Sequence, residues 1–402
     1  MVNYLKRTWA EINLDALEHN YHQIRGALTP GSRMMCVVKA DGYGHGAIPV
    51  AQELAHLGAE WFGVSNLEEA LQLREGGIQQ PILILGYTPP SKAETLSQNG
   101  ISQTVFSLEY AKALSLKAEE ADVTVKMHIK VDTGMSRIGF LYHDEEKDSQ
   151  AIDEMVEVSG LPGLCAEGIF THFAAADDRE QEPFTERQYE LFMEAVGRLE
   201  EKGIAFQLRH CCNSAAVMSH PEMHLDMVRP GIILYGNAPS DQMDIPLDLR
   251  PAMELKTVIS QVKEVEPGNT VSYSRTFETK GTTRIATVPI GYADGYPRGL
   301  SSRADMLVAG QRARVIGRVC MDQLMLDVSG NQEARPGMTV TVFGRDHGAF
   351  LPMEEVSGLA GTINYETMCL IGKRVPRIYL RHGKKVEQLN YILPDSTMPL
   401  NF

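Results

Sequence analysis

From residue 34 to about residue 235 the chain alternates short apolar or β-branched runs with longer stretches of helical period. The runs are MMCVVKA (34–40), WFGVS (61–65), PILILG (81–86), ISQTVFS (101–107), VTVKMHIKVD (123–132), LCAEGIFTHF (164–173), FQLRHCCN (206–213) and DMVRPGIILYG (226–236). They predict eight strands. Between them lie helical patterns such as NLEEALQLREGG, in which Leu67, Ala70, Leu71 and Arg74 share a face. Asn66 and Glu69 form a cap pair there, and Gly76 and Gly77 stop the helix. Strands alternating with helices give a parallel sheet with crossover connections, and eight such units match an N-terminal (β/α)8 TIM-like barrel over residues 12–240. A doubly wound open sheet is the alternative.

After about residue 245 the rhythm changes. β-Branched runs follow one another without long helical stretches: LKTVISQVKEV, NTVSYSRTFET, TRIATVPIGY, QRARVIGRVCMDQLMLDV and MTVTVFG, separated by Gly, Pro and Asn. This pattern predicts a second, mostly β C-terminal domain over residues 246–390, with residues 1–11 packed on it. The junction falls in LDLRPAME, near Pro239, Pro246 and Pro251.

Charge narrows the partners. Lys plus Arg total 38 against 52 Asp plus Glu, a formal balance of −14, which argues against nucleic acid and against anionic membrane surfaces. An anionic ligand must then be held by a local cluster of cations. No apolar stretch has the length of a secretion signal or a membrane span, so a cytoplasmic protein is expected. Six cysteines in a chain of 402 residues are too sparse for a disulfide framework.

In a barrel the C-terminal strand ends build the active site. The first run closes on Lys39, followed by ADGYGHG. A desolvated lysine there is a nucleophile able to form a Schiff base, although position alone fits a snorkelling surface lysine equally well. The eighth run places Arg229 beside Pro230, and the amides of Gly231 and Ile232 could cradle a phosphate. The seventh ends in His210, Cys211, Cys212, Asn213 and Ser214. A metal is disfavoured there, because adjacent cysteines fit a tetrahedral site poorly and no second ligand pair follows. Arg137 and His172 complete the polar residues at strand ends.

The ordered set VVKADGYGHG, KVDTGMSRIG, NSAAV, VRPGIILYG, VSYSRTF, GYADGYPR, GRVCMDQLMLDV and TINYE resembles the alanine racemase family, pyridoxal 5′-phosphate (PLP) enzymes with a barrel and a β domain. The resemblance runs from Thr8 to about Pro376. It implies an isomerase that interconverts L- and D-alanine and supplies D-alanine for peptidoglycan, working as a homodimer with shared active sites. By the same resemblance Lys39 carries the cofactor and is one catalytic base. Tyr273 is the other, reaching the partner subunit's site. Tyr43, Ser214, Gly231, Ile232 and Tyr365 match the phosphate-binding positions, with Asn213 and His172 also at the cofactor and Arg229 facing its pyridine nitrogen. Arg137 and the Met321 amide match substrate-binding positions. Lys130 matches a lysine that is carbamylated in some members, and Tyr292 and Arg298 match residues of the corridor leading to the site.

Two bases on opposite faces suit racemisation, since one removes the α-proton while the other delivers one. A phenol near pKa ~10 needs nearby positive charge to serve as a base, and the resemblance places His172 between Tyr273 and Arg229. A permanently charged arginine keeps the pyridine nitrogen unprotonated, which weakens the electron sink and favours racemisation over transamination. The chain departs from the commoner TGMGRIG at Ser136. The resemblance also implies alanine over serine as substrate, because a related serine racemase group replaces the tyrosine matching Tyr365 in TINYE, with a serine or broader small-amino-acid racemase as the alternative. A PLP decarboxylase has no use for Tyr273. A non-catalytic PLP-carrier protein would not need the β domain, and a PLP-free aldolase would not need the phosphate-binding strand ends.

Overall fold

The computed structural model describes residues 5–144 and 146–393. The chain divides into two compact units, the first comprising Leu17–Gly42 and Ala47–Arg250, the second the described residues up to Ala16, Tyr43–Gly46 and those from Pro251 onward.

The first unit holds eight parallel strands: Arg33–Val37, Trp61–Val64, Ile82–Ile84, Ile101–Val105, Val125–Asp132, Leu164–Phe170, Leu208–His210 and Met227–Val228. Each pairs with the next in sequence up to the seventh, and the eighth pairs with the first through Met227↔Arg33 and Val228↔Met34. The Asp226 N–H donates to Arg209 O and the Arg229 N–H to Cys212 O, joining eighth to seventh. The ring therefore closes into a barrel and the open sheet is set aside. Met35, Trp61, Leu83, Leu208 and Met227 form a buried cluster in this unit. Burying side chains of this size contributes about 1.5–3 kcal/mol each.

Two local details differ from the sequence pattern. In the helix Leu67–Glu75 the buried face is Leu67, Ala70 and Leu73, so Leu73 takes the place expected for Leu71. The Asn66 side chain accepts from Glu69 N–H, while the Glu69 carboxylate accepts from Ser65 N–H at 2.7 Å and from Ala40 N–H at 2.8 Å. The eighth apolar run contributes only two strand residues. Pro230 lacks an N–H for the ladder, and Ile232–Tyr235 wind into a 3-10 turn.

In the second unit the described residues build an eleven-stranded sheet. Its middle places Thr339–Asp346 beside Met253–Val258, and Thr8–Asn13 between Met253–Val258 and Arg377–Arg381. The unit also carries the helices Met353–Ala360 and Asn364–Cys369, which the β-rich pattern did not announce. Pro352 with Glu354 and Glu355 starts the first, and Gly361 in a left-handed conformation ends it. Among the described residues no helix is long and apolar enough to cross a membrane.

Candidate active site

Lys39 follows the first barrel strand and opens an unusual turn. Ala40, Asp41, Gly42 and Tyr43 all have positive φ, between 52° and 59°. A left-handed conformation costs roughly 1–2 kcal/mol per residue that bears a Cβ, so this turn holds its shape against local preference. Among the contacts that hold it, Gly42 N–H donates to Val38 O, the Ala47 N–H to Asp41 Oδ1, and the Ala40 N–H to the Glu69 carboxylate.

The Tyr43–Gly46 end of the turn belongs to the second unit. Arg377, 1% exposed, donates through Nε to Gly44 O, through Nη1 to Gly372 O and Val375 O, and through Nη2 to Ile371 O. The Tyr379 hydroxyl donates to His45 O at 2.8 Å. Gly44 approaches so closely that a Cβ would stand 2.2 Å from Met368 O, and only glycine fits. Tyr43 is buried with its ring centroid 6.1 Å from that of the half-buried Tyr365. Burial, then Tyr365 and Cys369, hold the Tyr43 phenol well above its ordinary pKa, so it stays a hydrogen-bond donor.

Arg229 is buried in the barrel unit just past the eighth strand. It donates to His210 Nδ1 at 2.8 Å, His172 Nδ1 at 3.2 Å, Thr171 O at 2.8 Å and Cys211 O at 2.9 Å. Burial lowers its pKa to about 10, which leaves it charged at neutral pH. Among the described residues no carboxylate pairs with this guanidinium. Burial first, and then Arg229, Lys130, Arg137 and Lys39, push the His172 pKa well below its usual range. Burial and these neighbouring basic groups keep the imidazole neutral.

Lys130 is 2% exposed, with its Nζ bonded to Val131 O at 3.1 Å and lying 5.2 Å from the centroid of the Phe170 ring. Burial and then Arg229 pull its pKa far down, outweighing Asp132. Arg137 is exposed on the loop after the fifth strand. Asp132 Oδ1 shapes that loop by accepting from Gly134 N–H and Ser136 N–H, both at 3.0 Å. Ser136 has φ 54°, in the left-handed region that glycine adopts most readily.

Ser214 begins a short helix capped by Asn213, whose side chain accepts from Ala216 N–H. The Ser214 Oγ accepts from Gly231 N–H at 2.8 Å. One of the two amides expected to meet a phosphate is therefore engaged by the serine. Ile232 opens the following 3-10 turn. Cys211 and Cys212 both direct their thiols at Met223 O at 3.1 Å, and all six cysteines are free thiols. Among the described residues no group of three or more His, Cys, Asp or Glu could hold a metal.

In the second unit Tyr273 is 71% exposed, and it lines a recess of about 560 Å³ together with Met321, Lys263 and Asp322. Ser272 fastens the tyrosine's turn by donating to Arg318 O at 2.7 Å. The Met321 segment is fixed in turn, because Ala293 N–H donates to Met321 O and Tyr292 N–H to Cys320 O. Tyr273, Met321 and the exposed Tyr292 so lie on interlocked loops. Arg298 stands exposed at the start of the next 3-10 turn.

Sequence reasoning places His172 beside Arg229 but passes over His210 as a partner. The sequence offers His210 only as a metal candidate, whereas it accepts a hydrogen bond from the arginine. His128 and Glu167, behind it, sit inside strands whose period gave no sign of a polar interior.

Inverting an amino acid's α-carbon requires proton removal at one face and delivery at the other, and this chain is an amino-acid racemase, an isomerase of the barrel-plus-β-domain class. Its residues 12–239 match the alanine racemase N-terminal domain and residues 252–379 the alanine racemase C-terminal domain. The chain belongs to the alanine racemase family. It is 50% identical over 380 residues to the alanine racemase of Desulfovibrio desulfuricans, covering 94% of this chain and all of that one. It is 48% identical over 373 residues to that of Desulforamulus reducens, covering 92% and 98%. Among solved structures, an alanine racemase of Clostridium difficile superposes with a TM-score of 0.92 at 40% identity, covering 97% of this chain and 100% of that one. An alanine racemase of Bacillus anthracis with bound L-Ala-P gives 0.90 at 38% identity, covering 97% and 99%.

Proposed function

We propose that this chain interconverts L- and D-alanine with PLP attached through Lys39, as a homodimer in which each site takes its barrel from one subunit and Tyr273 from the other. The cell compartment is the cytoplasm, and the product is D-alanine for peptidoglycan. The observation that carries this reading is Arg229, a buried cation bonded only to neutral acceptors among the described residues, in one electrostatic neighbourhood with Lys39 and Arg137. Such a concentration of positive charge, on a chain of net charge −14, fits an anionic cofactor and a carboxylate substrate.

The residues fit PLP in chemical kind. Hydroxyl donors at Ser214, Tyr43 and Tyr365, with the Ile232 amide, suit a phosphate, and Arg229 suits an unprotonated pyridine nitrogen. Asn213 and Gly231 shape the loops that present them. When bound, the cofactor supplies an electron sink that acidifies the substrate's α-hydrogen. Arg137 and the Met321 amide would hold the substrate carboxylate. The Lys39 amine and the Tyr273 phenol would exchange acid and base roles between enantiomers. His172 accepts from Arg229 through Nδ1, so its proton sits on Nε2, available to orient a neighbouring phenolate. Tyr292 and Arg298 would line the corridor. An aromatic side chain as exposed as Tyr273, with Met321 beside it at 53% exposure, supports a partner subunit covering this surface.

Lys130 would be carbamylated. Burial and Arg229 hold its pKa far down, which favours the free amine; that amine would attack the carbon of CO2, an N–C bond would form and one proton would leave, giving an anion near Arg137 and Arg229. A carbamate resonance in carbon-13 NMR after incubation with labelled bicarbonate, absent from Lys130→Met, is the expected result. Attachment is tested by borohydride reduction of the PLP-loaded protein. The cofactor mass should appear on the peptide containing Lys39, and its appearance on a different lysine would overturn the assignment.

A further inference from the structure

A line of buried polar groups leads away from Arg229 through the barrel interior. His210, fully buried, accepts from Arg229 Nη1 at its Nδ1. Its Nε2 lies 2.9 Å from His128 Nδ1, and His128 is also fully buried. His128 Nε2 lies 3.5 Å from Glu167 Oε1. Glu167, 8% exposed, is held by the Ser102 hydroxyl at Oε1 and by Lys126 Nζ at 3.2 Å from Oε2. Ser102 and Lys126 stand near the starts of their strands, Glu167 in the middle of its own, and Arg229 beyond the end of its own. In a parallel barrel the line therefore runs from the N-terminal end towards the C-terminal end.

The proton positions follow from the ends. Arginine can only donate, so His210 Nδ1 must be bare and its proton must sit on Nε2. That proton points at His128 Nδ1, which must then be bare as well. His128 carries its proton on Nε2, facing a carboxylate that can only accept. Burial first, then Arg229, push the His210 pKa well below its usual range, so the ring stays neutral. Both imidazoles turn their lone pairs towards Arg229 and their N–H groups towards Glu167.

Two backbone features serve this arrangement. Between the fifth and sixth barrel strands Met127 pairs with Ala166 but His128 pairs with Gly168, leaving Glu167 as the extra residue of a bulge. A bulge re-aims a side chain that strict alternation would place on the other face. At Gly168 a Cβ would stand 2.4 Å from His128 Nδ1, so glycine makes room for the ring. His210 in turn stacks on Phe170 with centroids 4.8 Å apart.

We propose that Glu167 is a positioning residue for Arg229, holding His128 with its proton on Nε2 so that the His128 Nδ1 lone pair faces His210 and the His210 Nδ1 lone pair faces the guanidinium. It rests on the reading of Arg229 as the group facing the cofactor's pyridine nitrogen. Outer partners of this kind orient the group that touches the chemistry, and hydrogen bonds in a low-dielectric interior reinforce one another. Glu167 itself touches neither cofactor nor substrate.

The test uses PLP-loaded protein with nitrogen-15 histidine, as wild type, Glu167→Gln and Glu167→Leu. Wild type should show His128 and His210 as neutral Nε2–H tautomers. Glu167→Gln keeps an acceptor and should keep those tautomers. Glu167→Leu should leave His128 with mixed tautomers, move the cofactor's absorbance maximum and lower kcat about tenfold, equivalent to about 1.4 kcal/mol, with KM for alanine unchanged. An Nδ1 proton or an imidazolium on either histidine of wild type would overturn the proposal even if neither variant folds. So would a folded Glu167→Leu whose tautomers and absorbance match wild type. Wild type that neither loads PLP nor racemises would overturn the functional reading instead, and the unloaded protein's tautomers would still decide the histidine line.

Discussion

Arg377 offers a direct measure of how firmly the Tyr43 segment is held. Its guanidinium is buried and spends four donor contacts on the carbonyls of Gly44, Ile371, Gly372 and Val375, at 2.6–2.9 Å. Arg377→Met keeps the apolar stem and removes every donor. A buried carbonyl left without a partner costs about 1–3 kcal/mol, while removing a buried cation returns part of its own desolvation penalty. Taking both into account, a net loss of about 4 kcal/mol is expected. At about 2–4 °C per kcal/mol for a unit of this size, the calorimetric transition of the second unit should fall by about 8–16 °C. PLP should also dissociate faster, because Gly44 is released beside Tyr43. A transition within 2 °C of wild type would refute the reasoning, since it would mean that the four carbonyls find water or that the bonds do not form.

Three further outcomes follow from the same geometry. Glu69→Ala removes the acceptor for Ser65 N–H and Ala40 N–H, worth about 1–2 kcal/mol, and should raise the equilibrium dissociation constant for PLP, measured by titration of apoprotein, about tenfold; an unchanged constant would show that the turn after Lys39 holds itself. The folded-state pKa values of His172 and His210 lie well below the ordinary value, so below about pH 6.5 the unfolded chain binds protons that the folded chain refuses, and stability falls by up to about 2.7 kcal/mol per pH unit for the pair. Urea unfolding at pH 7.5 and 5.5 checks this, and equal midpoints would contradict it. Tyr273→Phe should impair proton exchange on one face of alanine far more than on the other, and equal loss from both enantiomers in deuterium exchange would remove Tyr273 as a base.

The barrel was legible because a strand buried on both faces must be apolar throughout, and eight such runs at βα spacing admit few folds. The face of the helix Leu67–Glu75 was less so, since Leu71 and Leu73 both stand near its apolar stripe and only packing chose Leu73. The short helices of the second unit have too few turns for a helical period to stand out. The strand Thr8–Asn13 gains its partners from Met253–Val258 and Arg377–Arg381, more than two hundred residues away in sequence. Glu167 was the least legible residue of all. One residue of bulge inverts the alternation, and neither the bulge nor the ring that needs Gly168 leaves a periodic trace.

The most direct measurement is chiral analysis of alanine after incubation with the purified, PLP-loaded protein. L-alanine and D-alanine should each be driven to the same near-equal mixture, with serine converted more slowly and Lys39→Ala inactive. Retention of a single enantiomer from both starting materials, with PLP bound at Lys39, would contradict the account.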